Sequence, residues 1–265
     1  MDFYDILGYF LALLVGFSLG LVGSGGSILT VPILVYVLGF DALIATGYSL
    51  FIVGTTALVG AIRSALHKGV HFRIVALFGI PSLVTAYMVR AYLLPSLPDT
   101  LVLSSGVSIG KSLLLMLLFA VVMLVAAVKM IKPSTVNTSV QQETAPIKLM
   151  LSGVLIGLLA GAVGAGGGFL IIPALLFLAK LPMKEAVGTS LFIVAIQSLA
   201  GFTGTLHQEA IEWGFLLRFS GIAVIGVFIG IYAATKIAGE RLKTGFGYFV
   251  LAMACYILTK ELFFS

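Results

Sequence analysis

Charged residues are scarce in this chain. Asp, Glu, Lys and Arg together make up 9% of its 265 residues, whereas an ordinary soluble domain carries about 25%. Hydrophobic residues reach 60%, and the mean hydropathy is +1.20. This composition excludes an ordinary soluble domain and predicts a polytopic membrane protein.

Cysteine is nearly absent as well. The single Cys255 lies in the last apolar segment, so one chain can form neither a disulfide framework nor a cysteine-ligated metal centre. No cofactor or metal is predicted. The net charge of +5 is modest, and the basic residues lie mostly at the ends of apolar segments, where they contact lipid headgroups and orient the chain. Nothing in this pattern predicts nucleic-acid binding.

Carboxylates are missing from the centres of the apolar segments. All of them fall in predicted loops or at segment edges: Asp2, Asp5, Asp41, Asp99, Glu143, Glu185, Glu209, Glu212, Glu240 and Glu261. An acid inside a membrane span is a usual proton or sodium relay. The sequence offers no such relay.

Glycine, in contrast, is abundant, and its pattern repeats. The motif GSGG at 23–26, followed by Pro32, returns as GAGG at 164–167, followed by Pro173, at a constant offset of 141 residues. Both copies interrupt an apolar helix. Duplicated, glycine-broken membrane units are typical of secondary transporters.

The duplication defines the organisation of the chain. At the same offset, residues 16–60 and 157–201 share 18 identical positions out of 45. We therefore divide the chain into a first transmembrane repeat at 1–131, a polar linker at 132–148 and a second repeat at 149–265. The predicted fold is all-α, with two inverted repeats that each contain a glycine-broken helix pair followed by three transmembrane helices.

Ten apolar segments support this division. They cover about 6–22, 27–39, 42–62, 74–94, 106–128, 149–163, 168–179, 186–206, 214–235 and 244–259. A crossing helix needs about 20 residues. The segments at 27–39 and 168–179 are shorter, so they are predicted to be half-helices or tilted members of a hairpin.

Loop charges predict the orientation. If each glycine-broken pair turns back on itself, most basic residues collect on one side: Arg63, Lys68, Arg73, Lys129, Lys132, Lys148, Lys180, Lys184, Lys236, Arg241 and Lys243. The positive-inside rule makes this side cytoplasmic. Both termini and the loops with Arg90 and Lys260 then lie outside, and each repeat makes an odd number of crossings, so the repeats are inverted.

The glycine motifs are the first candidate binding groups. Helix N-termini present unpaired N–H groups and a partial positive charge, so the helices that begin after Gly26 and Gly167 can hold an anion without a buried lysine. Close helix packing is the structural alternative for these glycines. The substrate is therefore predicted to be a small anion, bound where the two motifs line one cavity.

A polar stripe on the following helices supplies further candidates. Ser49 and Thr56 in the first copy correspond to Ser190 and Gln197 in the second. Such side chains can hydrogen-bond an oxyanion, but in membrane helices they also bond back to their own backbone or join helices. The predicted substrate-binding residues are Ser24, Gly25, Gly26, Ser27, Ser49, Thr56, Gly166, Gly167, Gly168, Ser190 and Gln197.

Three other kinds of functional site have weaker support in the sequence. His67 and His207 are nearly equivalent in the two copies and could couple transport to protons, although a position at the membrane interface explains them as well. Thr46-Gly47-Tyr48 resembles a piece of a potassium filter, but its partner reads Val187-Gly188-Thr189. No serine and histidine are paired as a hydrolase requires, so an enzyme is not predicted.

The motifs also carry a family resemblance. GLVGSGGSILTVP at 20–32 and GAVGAGGGFLIIP at 161–173, each followed by a Gly-x-Ser-Leu-Phe segment, resemble the sulfite exporter TauE/SafE family over essentially the whole chain. The resemblance implies a prokaryotic inner-membrane transporter of sulfite, thiosulfate, sulfoacetate or related organosulfonates. It transfers the family's motif to Gly23, Gly25, Gly26 and Pro32 and to Gly164, Gly166, Gly167 and Pro173.

Taken together, the sequence predicts a secondary transporter that moves a small sulfur-containing anion by alternating access. An anion channel, or a carrier of a carboxylate, is the alternative. The predicted partners are the anion and the lipid bilayer, and a homodimer is left open.

Overall fold

A computed structural model of the chain describes residues 3–23, 25–40, 42–67, 69–93, 96, 100–102, 108–131, 146–163, 168–203 and 211–263. The second glycine motif at 164–167, most of the predicted linker and His207 lie outside the described residues.

Five helices form the first half. They are α1 (Phe3–Val22), α2 (Gly25–Pro32), α3 (Ala42–Leu66), α4 (Phe72–Leu93) and α5 (Lys111–Ile131). α2 continues as a π-helical turn over Ile33–Val37, and α4 contains two such turns, Val75–Gly79 and Val89–Leu93. A short antiparallel hairpin of β1 (Thr100–Val102) and β2 (Ser108–Gly110) joins α4 to α5.

The second half has the same sequence of helices. They are α6 (Pro146–Val163), α7 (Gly168–Phe177), α8 (Met183–Thr203), α9 (Trp213–Lys236) and α10 (Gly239–Phe263). The ten helices of the described residues match the ten apolar segments, and the all-α polytopic class is confirmed. Two boundaries differ: residues 108–110 are strand where the segment 106–128 predicted helix, and α6 begins inside the predicted linker.

The helices differ in length. Among the described residues, five helices are long and apolar enough to cross a membrane: Ile44–Leu66, Phe72–Leu93, Met183–Thr203, Trp213–Lys236 and Glu240–Lys260. At 1.5 Å per residue, the 10 residues of α7 rise only about 15 Å, half of a hydrocarbon core of about 30 Å. α7 is therefore a half-helix.

The two halves pack reciprocally. α1 contacts α9, and its counterpart α6 contacts α4. Residue pairs follow the offset of 141: a Cβ on Gly16 would overlap the backbone of Ala223, and a Cβ on Gly157 would overlap that of Ser82. Since each contact maps onto its mate when the halves are exchanged, the described helices obey a two-fold pseudosymmetry.

Equivalent helices run in opposite directions across this symmetry. A Cβ on Gly54 of α3 would lie 2.9 Å from Leu199 of α8, and a Cβ on Gly60 would lie 3.2 Å from Leu191, so the residue numbers rise on one helix as they fall on the other. Gly247, near the start of α10, similarly meets Ile131 at the end of α5. α3 and α8 are therefore antiparallel.

One end of the bundle is basic. α3, α5 and α9 end there and α4, α6, α8 and α10 begin there, as shown by the contact of Gly188 with Gly69 and of Lys243 with Phe177. We call this the basic end. It carries Arg63, Arg73, Lys148, Lys180, Lys184, Lys236, Arg241 and Lys243. Phe3 and Phe263, the ends of α1 and α10, lie at the opposite end.

Apolar side chains cover both the interior and much of the outside. The interior between α3 and α8 contains Val53, Leu191 and Val194, all nearly or completely buried. The outer faces of α6 and α9 expose large apolar side chains such as Leu151 and Leu217. A continuous apolar exterior of this kind suits lipid contact rather than water.

Candidate functional site

The first glycine motif is a buried turn between α1 and α2. Gly23 has φ of +85°, which glycine adopts without a steric cost, and its N–H donates to the Leu19 carbonyl at 2.6 Å. A Cβ here would lie 2.7 Å from Ser190 Oγ and 2.8 Å from the Val187 carbonyl oxygen. The turn therefore packs tightly against α8.

This turn is recessed from the basic end. Val187 and Ser190 lie four and seven residues after Met183, the first residue of α8. At 1.5 Å per residue, the turn lies about 6 to 10 Å along α8. The break in the helix thus lies within packed protein, which, like the lining of a water-filled cavity, is a setting in which a membrane protein tolerates non-helical backbone.

Gly26 acts as a packing residue. A Cβ on it would lie 2.8 Å from Leu19 Cβ and 2.9 Å from the Val15 carbonyl oxygen, so its absence lets α2 lie against α1. Thr30 Oγ1 donates to the Gly26 carbonyl at 2.6 Å. A bulky residue at Gly26 would disturb this packing, and a loss of binding in such a variant would not identify an anion site.

The other motif residues are only partly described. Gly25 is the first residue of α2 and Gly168 the first of α7, and Gly168 is buried. Ser27 lies within α2, and its side chain is outside the description. Ser24, Gly166 and Gly167 lie outside the described residues, so a cavity lined by both motifs stays a prediction.

The predicted polar stripe is buried in both halves. Ser49, Thr56 and Ser190 are at most 3% exposed, and Gln197 is 7% exposed. Two of the hydroxyls bond their own helix: Thr56 Oγ1 donates to the carbonyls of Ile52 and Val53, and Ser190 Oγ donates to the Val187 carbonyl at 2.9 Å. Ser190 is the stripe residue that lies against the glycine turn.

Gln197 makes a contact that the sequence did not predict. Its Nε2 donates to Ser82 Oγ at 2.8 Å, which joins α8 to α4 across the two halves. Ser82 is fully buried. The repeat carried no signal for this contact, because the offset of 141 pairs Ser82 with Ala223, outside the region of evident identity.

Two further hydrogen bonds join the halves at opposite ends. The His71 backbone N–H donates to Thr189 Oγ1 at 3.1 Å, and the Glu212 N–H donates to the Tyr48 hydroxyl at 2.9 Å. These bonds are equivalent at offset 141, and we call them the two latches. Tyr48 and Thr189 belong to the filter-like triplets, but both triplets are helical and neither forms a filter loop.

The basic end has an additional ion pair. His71 Nε2 lies 2.5 Å from Glu185 Oε2, with both side chains about half exposed. His67 also lies exposed at this end, beside the Arg63 carbonyl. The described histidines are thus surface residues. Ile44 and Glu212 occupy the equivalent positions at the other end, where no such pair can form.

The buried charge of the described residues is a lysine. Lys243, in the first turns of α10, is 5% exposed, and its Nζ lies 3.7 Å from Glu240 and 5.8 Å from the ring of Phe177. A cation near the C-terminal end of α7 is favoured by the helix dipole. Within the described ranges no cluster of His, Cys, Asp and Glu could hold a metal ion.

Known proteins place this arrangement in a family. The profile of the sulfite exporter TauE/SafE family matches residues 9–257. The chain belongs to this family. The chain is similar to a probable membrane transporter protein of Xylella fastidiosa, which is 29% identical over 258 residues, covering 94% of this chain and 92% of the relative.

More distant organisms carry similar chains. A probable membrane transporter protein of Methanocaldococcus jannaschii is 29% identical, with 92% of each chain covered, and one of Bacillus subtilis is 24% identical, with 96% of this chain and 97% of the relative covered. No solved structure matches the chain. The TauE/SafE chain described here is accordingly a membrane transporter.

Proposed function

We propose that this TauE/SafE chain is a secondary transporter that moves small sulfur-containing anions across a prokaryotic inner membrane by alternating access. Sulfite, thiosulfate, sulfoacetate and related organosulfonates are the substrate class, in keeping with the family's name. The observation that carries the proposal is the recessed glycine turn, at which the half-helix α2 begins inside packed protein beside Ser190.

The anion would be held by backbone N–H groups at the starts of α2 and α7 and by the stripe residues Ser49, Thr56, Ser190 and Gln197. Half-helix N-termini favour negative charge through their unpaired N–H groups and their dipole. The hydroxyl of Ser190 can turn from the Val187 carbonyl, 2.9 Å away, to an anion at the turn. An anion bound in this way needs no buried lysine.

The reciprocal packing supports alternating access. Because the glycine crossings and the two latches each have a mate in the other half, an exchange of conformation between the halves would produce a second state that keeps these contacts. The two latches lie at opposite ends and join α4 to α8 and α9 to α3. If one latch breaks while the other stays formed, the anion site would open to only one side of the membrane at a time.

The basic end would face the cytoplasm, since positive residues are retained there. Both termini would then lie on the periplasmic or extracellular side, and the repeats would be inverted in the membrane, as the antiparallel α3 and α8 favour. Reporter fusions at residues 1 and 265 test this orientation. If both reporters are cytoplasmic, the orientation is the reverse of the one proposed. If the reporters lie on opposite sides of the membrane, the repeats are not inverted.

The decisive experiment is thermal unfolding of the purified chain with sulfite, thiosulfate, sulfoacetate and carboxylates of matching size. A ligand that binds only the folded state adds about 2.7 kcal/mol to the free energy of unfolding when its concentration is 100 times its Kd. Such a ligand therefore raises Tm. Selective stabilisation by the sulfur anions supports the proposal. Stabilisation by carboxylates alone would make the chain a carboxylate carrier, and no stabilisation by any anion would remove the anion site.

A matched pair of variants tests the site. Ser190→Ala removes a hydroxyl at the glycine turn, whereas Ser18→Ala removes one that donates to the Val15 carbonyl on α1. Hydrogen bonds to charged groups contribute about 1.5–3 kcal/mol, so Ser190→Ala should weaken anion affinity at least tenfold. Ser18→Ala should not. Equal affinities in both variants would exclude Ser190 from the site.

The rival function is an anion channel. Uptake into vesicles separates the two, because a carrier saturates and shows counterflow of labelled anion, while a channel conducts and shows neither. Linear, unsaturated flux without counterflow would exclude alternating access.

A further inference from the structure

The α4–α6 and α1–α9 crossings have equivalent backbone contacts, but only the first has a polar side chain at the crossing point. Where α4 meets α6, Ser82 lies against Gly157, and Gln197 Nε2 donates to Ser82 Oγ at 2.8 Å. Where α9 meets α1, the equivalent residues are Ala223 and Gly16. The duplication therefore produced two equivalent crossings, and only Ser82 of α4, not Ala223 of α9, is hydrogen-bonded to a side chain of the other half.

The equivalent of Gln197 has no unused acceptor of this kind. Thr56 donates its hydroxyl to carbonyls of its own helix. Gln197, by contrast, is 93% buried, being 7% exposed, and its Oε1 accepts no hydrogen bond from any described residue. A buried acceptor that is left unpaired is costly to the fold, so this oxygen points to a ligand.

The chemistry of the pair selects the ligand class. Amide and hydroxyl oxygens are neutral ligands of hard cations. In the described chain the buried polar residues include no carboxylate, so the surroundings of the pair lack the buried negative charge that a divalent ion would demand. An amide also does not titrate in the physiological range, which excludes this oxygen as a proton carrier.

We propose that Gln197 Oε1 and Ser82 Oγ are two ligands of a monovalent-cation site between α4 and α8, with Na⁺ as its probe. The hydrogen bond from Gln197 Nε2 to Ser82 fixes the orientation of the amide, so Oε1 remains available to a cation. Ser82 Oγ accepts that bond with one lone pair and retains a second. A bound cation would also offset the charge of an anion carried through the same bundle. That coupling rests on the proposed function, whereas the cation site does not.

The test compares thermal unfolding of the purified full chain in sodium chloride and in choline chloride at equal ionic strength. In the wild type, Na⁺ should raise Tm in a saturable manner that choline does not reproduce. Gln197→Met, which keeps the volume but not the oxygen, should abolish this shift. Gln197→Glu should lower the Na⁺ concentration at half-effect at least tenfold, since a carboxylate strengthens a cation site.

Two further variants keep the test decisive. Thr55→Val removes a hydroxyl that donates to the Phe51 carbonyl on α3 at 2.8 Å, and its Na⁺ response should equal that of the wild type. Ser82→Ala should weaken the response and serves if Gln197→Met does not fold. Equal Tm in Na⁺ and choline, or a full Na⁺ response in Gln197→Met or Ser82→Ala, would overturn the site.

The same measurements separate this inference from the proposed function. Sulfite and thiosulfate are added with choline as the counter-ion. Anion stabilisation without any Na⁺ effect would remove the cation site and leave the anion carrier standing. If Gln197→Glu gains no Na⁺ response, Oε1 is not a cation ligand and the cation site is wrong, whether or not the variant still binds the anion.

Discussion

One added methyl group at the reciprocal crossings should destabilise the protein. A Cβ on Gly16 would lie 2.6 Å from the carbonyl carbon of Ala223, and a Cβ on Gly157 would lie 2.8 Å from the Cα of Ser82. Both neighbours are backbone, so no side chain can rotate away and the helices must separate. Gly16→Ala and Gly157→Ala therefore test the pseudosymmetry directly.

The magnitude follows from two opposing terms. Overpacking costs about 1–3 kcal/mol, and the contacts here place the cost near the upper limit. The better helix propensity of alanine returns about 1 kcal/mol. The net loss of about 1–2 kcal/mol should lower Tm by roughly 2–8 °C for a chain of this size, as measured in detergent through the fluorescence of the single tryptophan, Trp213.

A glycine without close neighbours provides the control, and its substitution should not lower Tm. A Cβ on Gly221 of α9 would have no neighbour within 4 Å, so Gly221→Ala gains helix propensity without a clash and should melt at or above the wild type. The reasoning fails if both crossing variants melt at or above the wild type. It fails equally if Gly221→Ala loses as much as they do.

Three other predictions concern the ends of the bundle and its surface. Tyr48→Phe and Thr189→Val each remove one latch hydrogen bond and should each cost about 0.5–1.5 kcal/mol; a Tm unchanged in both would mean that the latches contribute nothing. Lys243→Glu places a second negative charge beside Glu240, 3.7 Å from the lysine, and should lower Tm more than the same change at an exposed basic residue. Cys255 is exposed on α10, and if this face contacts lipid, an apolar maleimide should label it in vesicles while a charged thiol reagent should not.

Much of the fold follows from local patterns. Apolar segments separated by loops predict ten helices, and the short segment at 168–179 predicts the half-helix α7, because segment length is a local property. The hairpin at 100–110 was missed, since the apolar run at 106–128 has no signal that marks its first residues as strand. Which helices cross each other is a tertiary property that segment lengths do not encode.

The candidate site shows the same division. Ser49, Thr56, Ser190 and Gln197 were predicted from a stripe with helical spacing, and all four are buried. Thr56 and Ser190 donate to carbonyls of their own helices, which is the alternative that such residues allow in membrane helices. The partner of Gln197 was not predicted, because Ser82 pairs with an alanine at offset 141. Gly26 illustrates the converse, since a motif glycine can serve as a binding group or as a packing residue, and only its neighbours distinguish the two.

The duplication explains why the two halves share their backbone packing but differ in the chemistry of their side chains. Contacts at Gly16 and Gly157 involve backbone, so the two-fold arrangement needs small residues at both positions whatever the neighbouring side chains are. Side chains at the equivalent positions 56 and 197 are free to differ, because neither makes the crossing. A transporter built in this way can keep two interchangeable halves for its motion while placing its ligand chemistry in one of them, which is the arrangement that Gln197 and Ser82 indicate.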